Sequence, residues 1–430
     1  MANTVALMSI GCRTNQEEMS TLRAELLADG YSIVDEAADA GIIIVNTCSV
    51  TSFTESKTKR LINSLSREAP NARILVTGCF AQQHGEALLK YANVAWVVGN
   101  GDKHKIVDII KSTGGVYLSD INSGNNFFGD GAVLSPDESG RTRFSIKIQE
   151  GCDYRCAYCL VPSLRGPSRS VPADRLIDIF KRAVDKGYKE IVLTGTHIGQ
   201  YQYGLESLLE KFLKISGDYR IRLSSLDPRD LTDSLAAEVG AGGRICDHLH
   251  VSVQSLCAGV LSRMDRPYSD IDALAARLRA FRAKYPYAGL GADFIVGHPG
   301  ETDAMFEATL RGAAEIGFSY GHVFRYSKRG GTKSAQAPDQ ISEAVKTSRS
   351  AALRTALGES REKFLSGLFG RPFSIIVENK NPTRGVGGNY IKVEVPQTAA
   401  PKNSWMRVAL LTGGVGYCTG KKLSDNAIIE

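Results

Sequence analysis

Long apolar runs are missing from this chain of 430 residues: a stretch such as GIIIV at 41 to 45 is far too short to cross a bilayer. That excludes a helical membrane protein. Missing too, from MANTVALMSIGC, are a basic leader and a cleavage signal, so the expectation is a cytoplasmic protein with no membrane partner. No segment repeats at a period of about 20 to 50 residues, which excludes a solenoid or propeller. Excess charge is scarce, since 52 Lys or Arg against 46 Asp or Glu leave only +6. A balance that small does not by itself imply nucleic-acid binding. Its distribution says more: from Leu368 onward there are eight basic against four acidic residues, and a basic terminal module suggests a polyanion partner. In a reducing compartment the nine cysteines are not a disulfide framework; they are metal ligands, reactive thiols or small core residues.

The length predicts two or three domains. From Val5 to about Lys111, the apolar runs VALMSI, GIIIVNT, ARILVT and VAWVVG alternate with helical periods at Gln16 to Asp29, Thr54 to Glu68, His84 to Tyr91 and Lys103 to Lys111. This is the pattern of a parallel sheet with helices on its faces. Asp120 to Gly140, rich in Gly, Asn and Ser, reads as a linker or surface loop. A second alternating series follows: FSIKIQ, EIVLTG, RIRLSS, HLHVSVQ, GADFIVG and YGHVFRY. Six βα units curl into an incomplete (β/α) barrel, with the chemistry at the C-terminal strand ends. A helical stretch from Ile341 to about Leu365 closes this zone, and from Phe373 β-branched runs with turn residues predict a small antiparallel β barrel.

Cys152, Cys156 and Cys159 in GCDYRCAYC have the spacing that holds three corners of a [4Fe-4S] cube and leaves the fourth iron open. A structural zinc site would need a fourth protein ligand, and no Cys or His flanks residues 152 to 159 in sequence. The loop directly follows the strand that opens the barrel.

Cys12, Cys48 and Cys79 look unrelated by spacing, being 36 and 31 residues apart. Each, however, falls at the C-terminal end of a predicted parallel strand, and adjacent strands bring such ends into one crevice. Three thiols on one rim make a second cluster site. Cys246, Cys257 and Cys418 are given no role.

These features together resemble the methylthiotransferase family of radical S-adenosylmethionine (SAM) enzymes. The resemblance rests on GCRTN at 11 to 15, NTC at 46 to 48, GCFAQ at 78 to 82, the GCDYRCAYC loop with PSLRGPSRS behind it, VQS, MDRPY and GHPGET. It implies four parts: a flavodoxin-like N-terminal domain over 1 to 118, a linker over 119 to 140, a radical SAM core built on a partial (β/α)6 barrel over 141 to 366, and a nucleic-acid-binding TRAM barrel over 367 to 430. NTCSVT with the basic TESKTKR, TGTHIGQY and SSLDP look most like the branch acting on N6-threonylcarbamoyladenosine at tRNA position 37. GCRTN departs from the GCKVN usual there, Arg325 stands where proline is common, and His298 replaces an aromatic.

The resemblance further implies two [4Fe-4S] clusters, on Cys152, Cys156 and Cys159 and on Cys12, Cys48 and Cys79, with two SAM molecules consumed per turnover. One cluster would generate a 5′-deoxyadenosyl radical and the other would carry the sulfur. Tyr158 would lie by the adenine of SAM, and Thr194, Gly195, Ser225 and Gln254 at strand ends would contact the cofactor, with His197 a further candidate. Lys380, Arg384, Lys392, Lys402 and Arg407 would meet tRNA phosphates while Tyr390 and Trp405 stack on bases. Partners would be the tRNA anticodon stem-loop and an electron donor such as flavodoxin or ferredoxin. The alternatives are isopentenyladenosine 37 or a ribosomal-protein aspartate as substrate, or a tRNA-binding iron-sulfur protein without turnover.

Overall fold

The computed structural model describes residues 3–122, 133–266, 270–414 and 416–424. The middle of the expected linker and Pro267 and Tyr268 of MDRPY lie outside the described residues.

Six parallel strands form the first sheet: β1 (Thr4–Ser9), β2 (Ser32–Val34), β3 (Ile42–Thr47), β4 (Arg73–Gly78), β5 (Val94–Val98) and β6 (Gly115–Tyr117), in the order β2-β1-β3-β4-β5-β6. β3 is buried at every position, as a strand covered on both faces must be. The helix Arg13–Ala28 covers one face through Leu22 and Leu26, while Ser52–Glu68 covers the other through Ile62 and Leu65. Each such side chain contributes ~1.5–3 kcal/mol relative to exposure. The hydroxyl of Thr51 caps the second helix by accepting from the Thr54 amide. Of the expected helices, that over 84–91 is a 3-10 turn, Gly85–Lys90, and that over 103–111 starts in the 3-10 turn Asn100–Lys105 before the α-helical Ile106–Ile109.

The second zone carries β7 (Arg143–Glu150), the two-residue β8 (Arg169–Ser170), β9 (Glu190–Gly195), β10 (Arg220–Leu223), β11 (His248–Gln254), β12 (Gly289–Val296) and β13 (Tyr320–Arg325). They pair as β10-β9-β7-β8 and β11-β12-β13, and isolated parallel bridges at Ile221 with Ile245 and Leu226 with Val251 join the two sheets. One apolar core, including Leu193, Leu223, Val251 and Phe294, runs through both. The result is an open barrel of six parallel strands.

The helix Glu343–Ser366 leads into a closed five-stranded barrel: β14 (Pro372–Lys380), β15 (Thr383–Gly387), β16 (Lys392–Val395), β17 (Trp405–Thr412) and β18 (Cys418–Lys422). Closure leaves no open sheet edge. The joins are antiparallel except β16 with β18, where Val393 and Cys418 pair in parallel. This module seats against the N-terminal end of the central barrel. Arg220 donates to the carbonyl of Val386, and Arg222 to those of Gly387 and Gly388. Both arginines also grip the buried Glu190. Among the described residues no helix is long and apolar enough to cross a membrane.

Candidate active site between two cysteine trios

A cavity of about 430 Å³ opens at the C-terminal ends of the central strands and runs down to the seat of the C-terminal barrel. Cys152, Cys156 and Cys159 line it, and so do Tyr158, Thr194, Gly195, Ser225, Gln254 and His197. The strand ends place them: Thr194 and Gly195 finish β9, Gln254 finishes β11, and Ser225 lies two residues beyond β10.

The loop that carries the first trio is anchored through its backbone. Gly151 has φ +80°, and a Cβ there would stand 1.9 Å from the Pro167 carbonyl oxygen, so only glycine admits the returning strand so close. The Ala157 amide donates to the Met264 carbonyl, and the Val161 amide approaches the Cys159 sulfur at 3.4 Å. Burial pushes the Cys159 thiol up to about 12, so an uncompensated thiolate is unfavourable there. Arg266 points at the Cys156 sulfur, 3.5 Å away, while its other nitrogen is held by Asp227 at 2.7 Å. A histidine does stand beside this trio, although none flanks it in sequence: Nδ1 of His197 is 3.8 Å from the Cys152 sulfur, and its Nε2 is 2.6 Å from Asp230. Burial opposes protonation of His197, but Asp230 and Cys152 outweigh it and raise its pKa to about 9.

The second trio gathers at the C-terminal edge of the first sheet. Cys48 and Cys79 directly follow β3 and β4, which lie side by side, and Cys12 follows β1 on the other flank of β3. Gly78 has φ +94°, and a Cβ there would stand 2.3 Å from the Thr47 carbonyl oxygen. Burial, followed by the proximity of Cys79 and Cys12, pushes the Cys48 thiol up to about 12. Only Cys12 reaches the cavity wall; Cys48 and Cys79 are buried behind it.

The donor sets suit a cube better than a single ion. Four sulfurs about 2.3 Å from one zinc stand roughly 3.8 Å apart. Among the described residues neither cysteine trio brings all three of its sulfurs within 4.8 Å of one another.

A buried ionic hub lies between the trios, and nothing in the sequence reading anticipated it. Glu18, from the helix after Cys12, meets Lys103, Lys147 at 3.4 Å and Arg165 at 3.0 Å. Glu150, at the end of β7, meets the same Lys147 at 3.0 Å and Arg165 at 2.7 Å. Burial opposes ionisation of both carboxyls, yet these cations outweigh it and lower both pKa values. Arg165 also donates to Asn15, whose side-chain oxygen is 3.4 Å from the Cys12 sulfur. Asn15 in turn donates to the Thr47 carbonyl, next to Cys48. The hub therefore ties the loop behind one trio to the loops of the other. Arg165 lies within the quoted PSLRGPSRS run, and that was the available signal; Glu18 reads in sequence as an ordinary helix-surface charge.

At its deep end the cavity is polar. Tyr320 bridges His248 at 2.7 Å and His250 at 2.9 Å, and Asp293 accepts from His250 and His322 at 3.1 and 3.0 Å. Tyr390, expected to stack on bases, has a particular place. It enters the cavity from the C-terminal barrel and stacks on His248 at 4.6 Å. Trp405 likewise turns inward, donating to Asp218 and packing on Arg220. Of the basic residues expected at phosphates, Lys380, Lys392 and Lys402 are exposed, Lys402 also donates to the Gly140 carbonyl, and Arg384 is paired with Glu394.

Comparison with known proteins agrees with this architecture. Residues 4–99 match the family described as Uncharacterized protein family UPF0004, and residues 146–313 match the Radical SAM superfamily. Threonylcarbamoyladenosine tRNA methylthiotransferase MtaB of Thermotoga maritima is 35% identical over 91% of both chains, and the enzyme of that name from Bacillus subtilis is 33% identical over 97% of this chain and 96% of its own. The tRNA-2-methylthio-N(6)-dimethylallyladenosine synthase of Clostridium novyi is 33% identical over 86% of this chain and 84% of its own. Among solved structures, the radical SAM methyltransferase TsrM from Kitasatospora setae superposes with a TM-score of 0.55 at 14% identity, over 78% of this chain and 77% of its own, a likeness of fold alone. With relatives this similar over nearly its whole length, the chain belongs to the methylthiotransferase family of radical SAM enzymes.

Proposed function

We propose that this enzyme converts N6-threonylcarbamoyladenosine at tRNA position 37 to its 2-methylthio derivative, using a [4Fe-4S] cluster on each cysteine trio and SAM in the cavity between them. The observation that carries the reading is that Cys12 and the Cys152, Cys156, Cys159 trio line one cavity large enough for a nucleoside. The C2–H bond of adenosine is not acidic and has no leaving group, so acid-base chemistry cannot replace it with sulfur. When bound, the clusters and SAM would supply the electron, the radical and the methylated sulfur that such a replacement requires.

The chain's own residues would hold these groups in register. Tyr158, Thr194, Gly195, Ser225 and Gln254 are assigned to SAM, and Arg266 to the sulfur of Cys156. The hub of Glu18, Glu150, Arg165 and Lys147 would fix the spacing between the two halves. The anticodon stem-loop, an electron donor of the flavodoxin or ferredoxin kind and the four-part domain division belong to the same proposal.

Incubating tRNA carrying N6-threonylcarbamoyladenosine with anaerobically reconstituted enzyme, dithionite and SAM should yield the 2-methylthio nucleoside by mass spectrometry. The synthase of Clostridium novyi, as similar as one of the MtaB relatives, favours isopentenyladenosine as the second reading. Product on tRNA bearing only that nucleoside would select it.

A further inference from the structure

The cations around the cavity are almost all committed. Arg266 is held by Asp227 at 2.7 Å, Arg222 by Glu190 at 2.7 Å, and Arg165 by Glu18 and Glu150 at 3.0 and 2.7 Å. Arg13 is different. It lines the cavity directly after Cys12 and has no carboxylate partner among the described residues; its one polar contact is a hydrogen bond of 2.5 Å donated to the Tyr390 hydroxyl. The same contact lays the guanidinium beside the Tyr390 ring, 5.4 Å from its centre, at the polar deep end of the cavity. Asp293 is not its partner: that carboxylate accepts from His250 and His322. The site thus keeps a half-buried positive charge, oriented by a neighbour that spends only one of five guanidinium donors.

On the reading proposed above, the substrate carries the matching group. A threonylcarbamoyl substituent ends in a carboxylate, whereas an isopentenyl substituent is neutral and apolar. The reacting C2 and the carbon bearing N6 flank the same ring nitrogen, so a group that reads the substituent must stand close to the sulfur donor. Arg13 is the residue next to Cys12. We infer that Arg13 is the specificity-determining residue that binds the carboxylate of the threonylcarbamoyl group, with Tyr390 orienting its guanidinium. A planar guanidinium pairs with a carboxylate through two parallel bonds, which fixes the orientation of the nucleoside as well as its charge.

The test is a cycle between residue and ligand. Reconstituted holoenzyme is offered anticodon stem-loops that differ only at position 37: the threonylcarbamoyl acid, the same group as its carboxamide, and unmodified adenosine. Wild type should bind the acid on the order of ten- to a hundredfold tighter than the amide, as expected for a charge-assisted pair in a sheltered site. Arg13→Gln should bring that ratio close to one, and Arg13→Lys should restore part of it. Iron content per chain shows that each variant is loaded, and if the glutamine variant does not fold, the lysine variant's intermediate ratio decides. A variant ratio as large as that of wild type overturns the role of Arg13 while leaving the substrate reading intact. A wild type that prefers neither acid nor amide to unmodified adenosine overturns the substrate reading, and this inference with it.

Discussion

The two cysteine trios meet at one cavity, the second through Cys12 alone, but are constructed in opposite ways. Cys152, Cys156 and Cys159 sit in a single loop after one strand, so their spacing is set within one short segment, which the Ala157 amide ties to the Met264 carbonyl. Cys12, Cys48 and Cys79 follow three different strands, and sheet pairing and the Asn15 contacts bring them together. A local site depends less on the register of distant segments. A dispersed one is as good as the register of the sheet behind it and of the hub that clamps sheet to barrel.

Breaking each trio separately should give the largest contrast. Cys152→Ala should reduce both 5′-deoxyadenosine and methylthiolated tRNA to background. Cys12→Ala should keep deoxyadenosine formation and lose only the methylthio product. Undiminished deoxyadenosine from the Cys152 variant would sink the assignment of roles.

Next in size is the clamp. Glu18→Gln leaves Lys103, Lys147 and Arg165 short of a buried counter-charge, and removing one partner from such a set costs about 3–5 kcal/mol. Denaturant unfolding should show that loss, and iron content should fall toward that of a Cys12→Ala protein. Equal iron loss at both trios would erase the contrast between local and dispersed construction.

The sheet side also has its own pH signature. Burial raises the pKa of Glu17 from 4.5 to about 7, only partly offset by Lys147. A carboxyl whose folded pKa is raised adds stability that is fully present below pH 4.5 and is lost as pH rises to about 7, by roughly 3 kcal/mol at most. Glu17→Gln should therefore flatten the stability profile between those limits and make the protein more stable at pH 8. Glu18 and Glu150, with lowered values, act with the opposite sign: their contribution is present above the usual carboxylate range and is lost as pH falls through their depressed pKa values. A profile that the Glu17 substitution does not change would remove this distinction.

The smallest effect tests the third region. Tyr390→Phe removes the acceptor for Arg13 while keeping the ring on His248, at a cost of about 1 kcal/mol. That corresponds to roughly a fivefold rise in KM for tRNA. An unchanged KM would show that the Tyr390 hydroxyl plays no part in binding tRNA.

The same contrast governs what could be read from the sequence. The order of domains and the long strands were legible because β3, β4, β9 and β12 are apolar runs with turn residues between them. β2 and β6, three residues each, carry too little pattern to register. The first trio was legible from spacing alone, and the second needed the inference that three strand ends share a rim. Contacts between distant segments were not legible. Tyr390 and Trp405 look in sequence like surface aromatics of a nucleic-acid module, yet both face the central barrel, since the pairing of Arg220 and Arg222 with the 386–388 carbonyls rotates that face inward. His197 shows in the sequence as a candidate lining the cofactor site, but its place beside Cys152 does not, because it comes from the next strand end.

The floor that Tyr390 gives the cavity bears on the order of biosynthesis. Chains are made from the N-terminus and their domains fold in turn. All six cysteines of the two trios emerge before residue 160, long before the strand and turn that deliver Tyr390. A nascent chain thus gathers both sets of thiols while the cavity is still open at its base, and the base is closed only after residue 390 has been made.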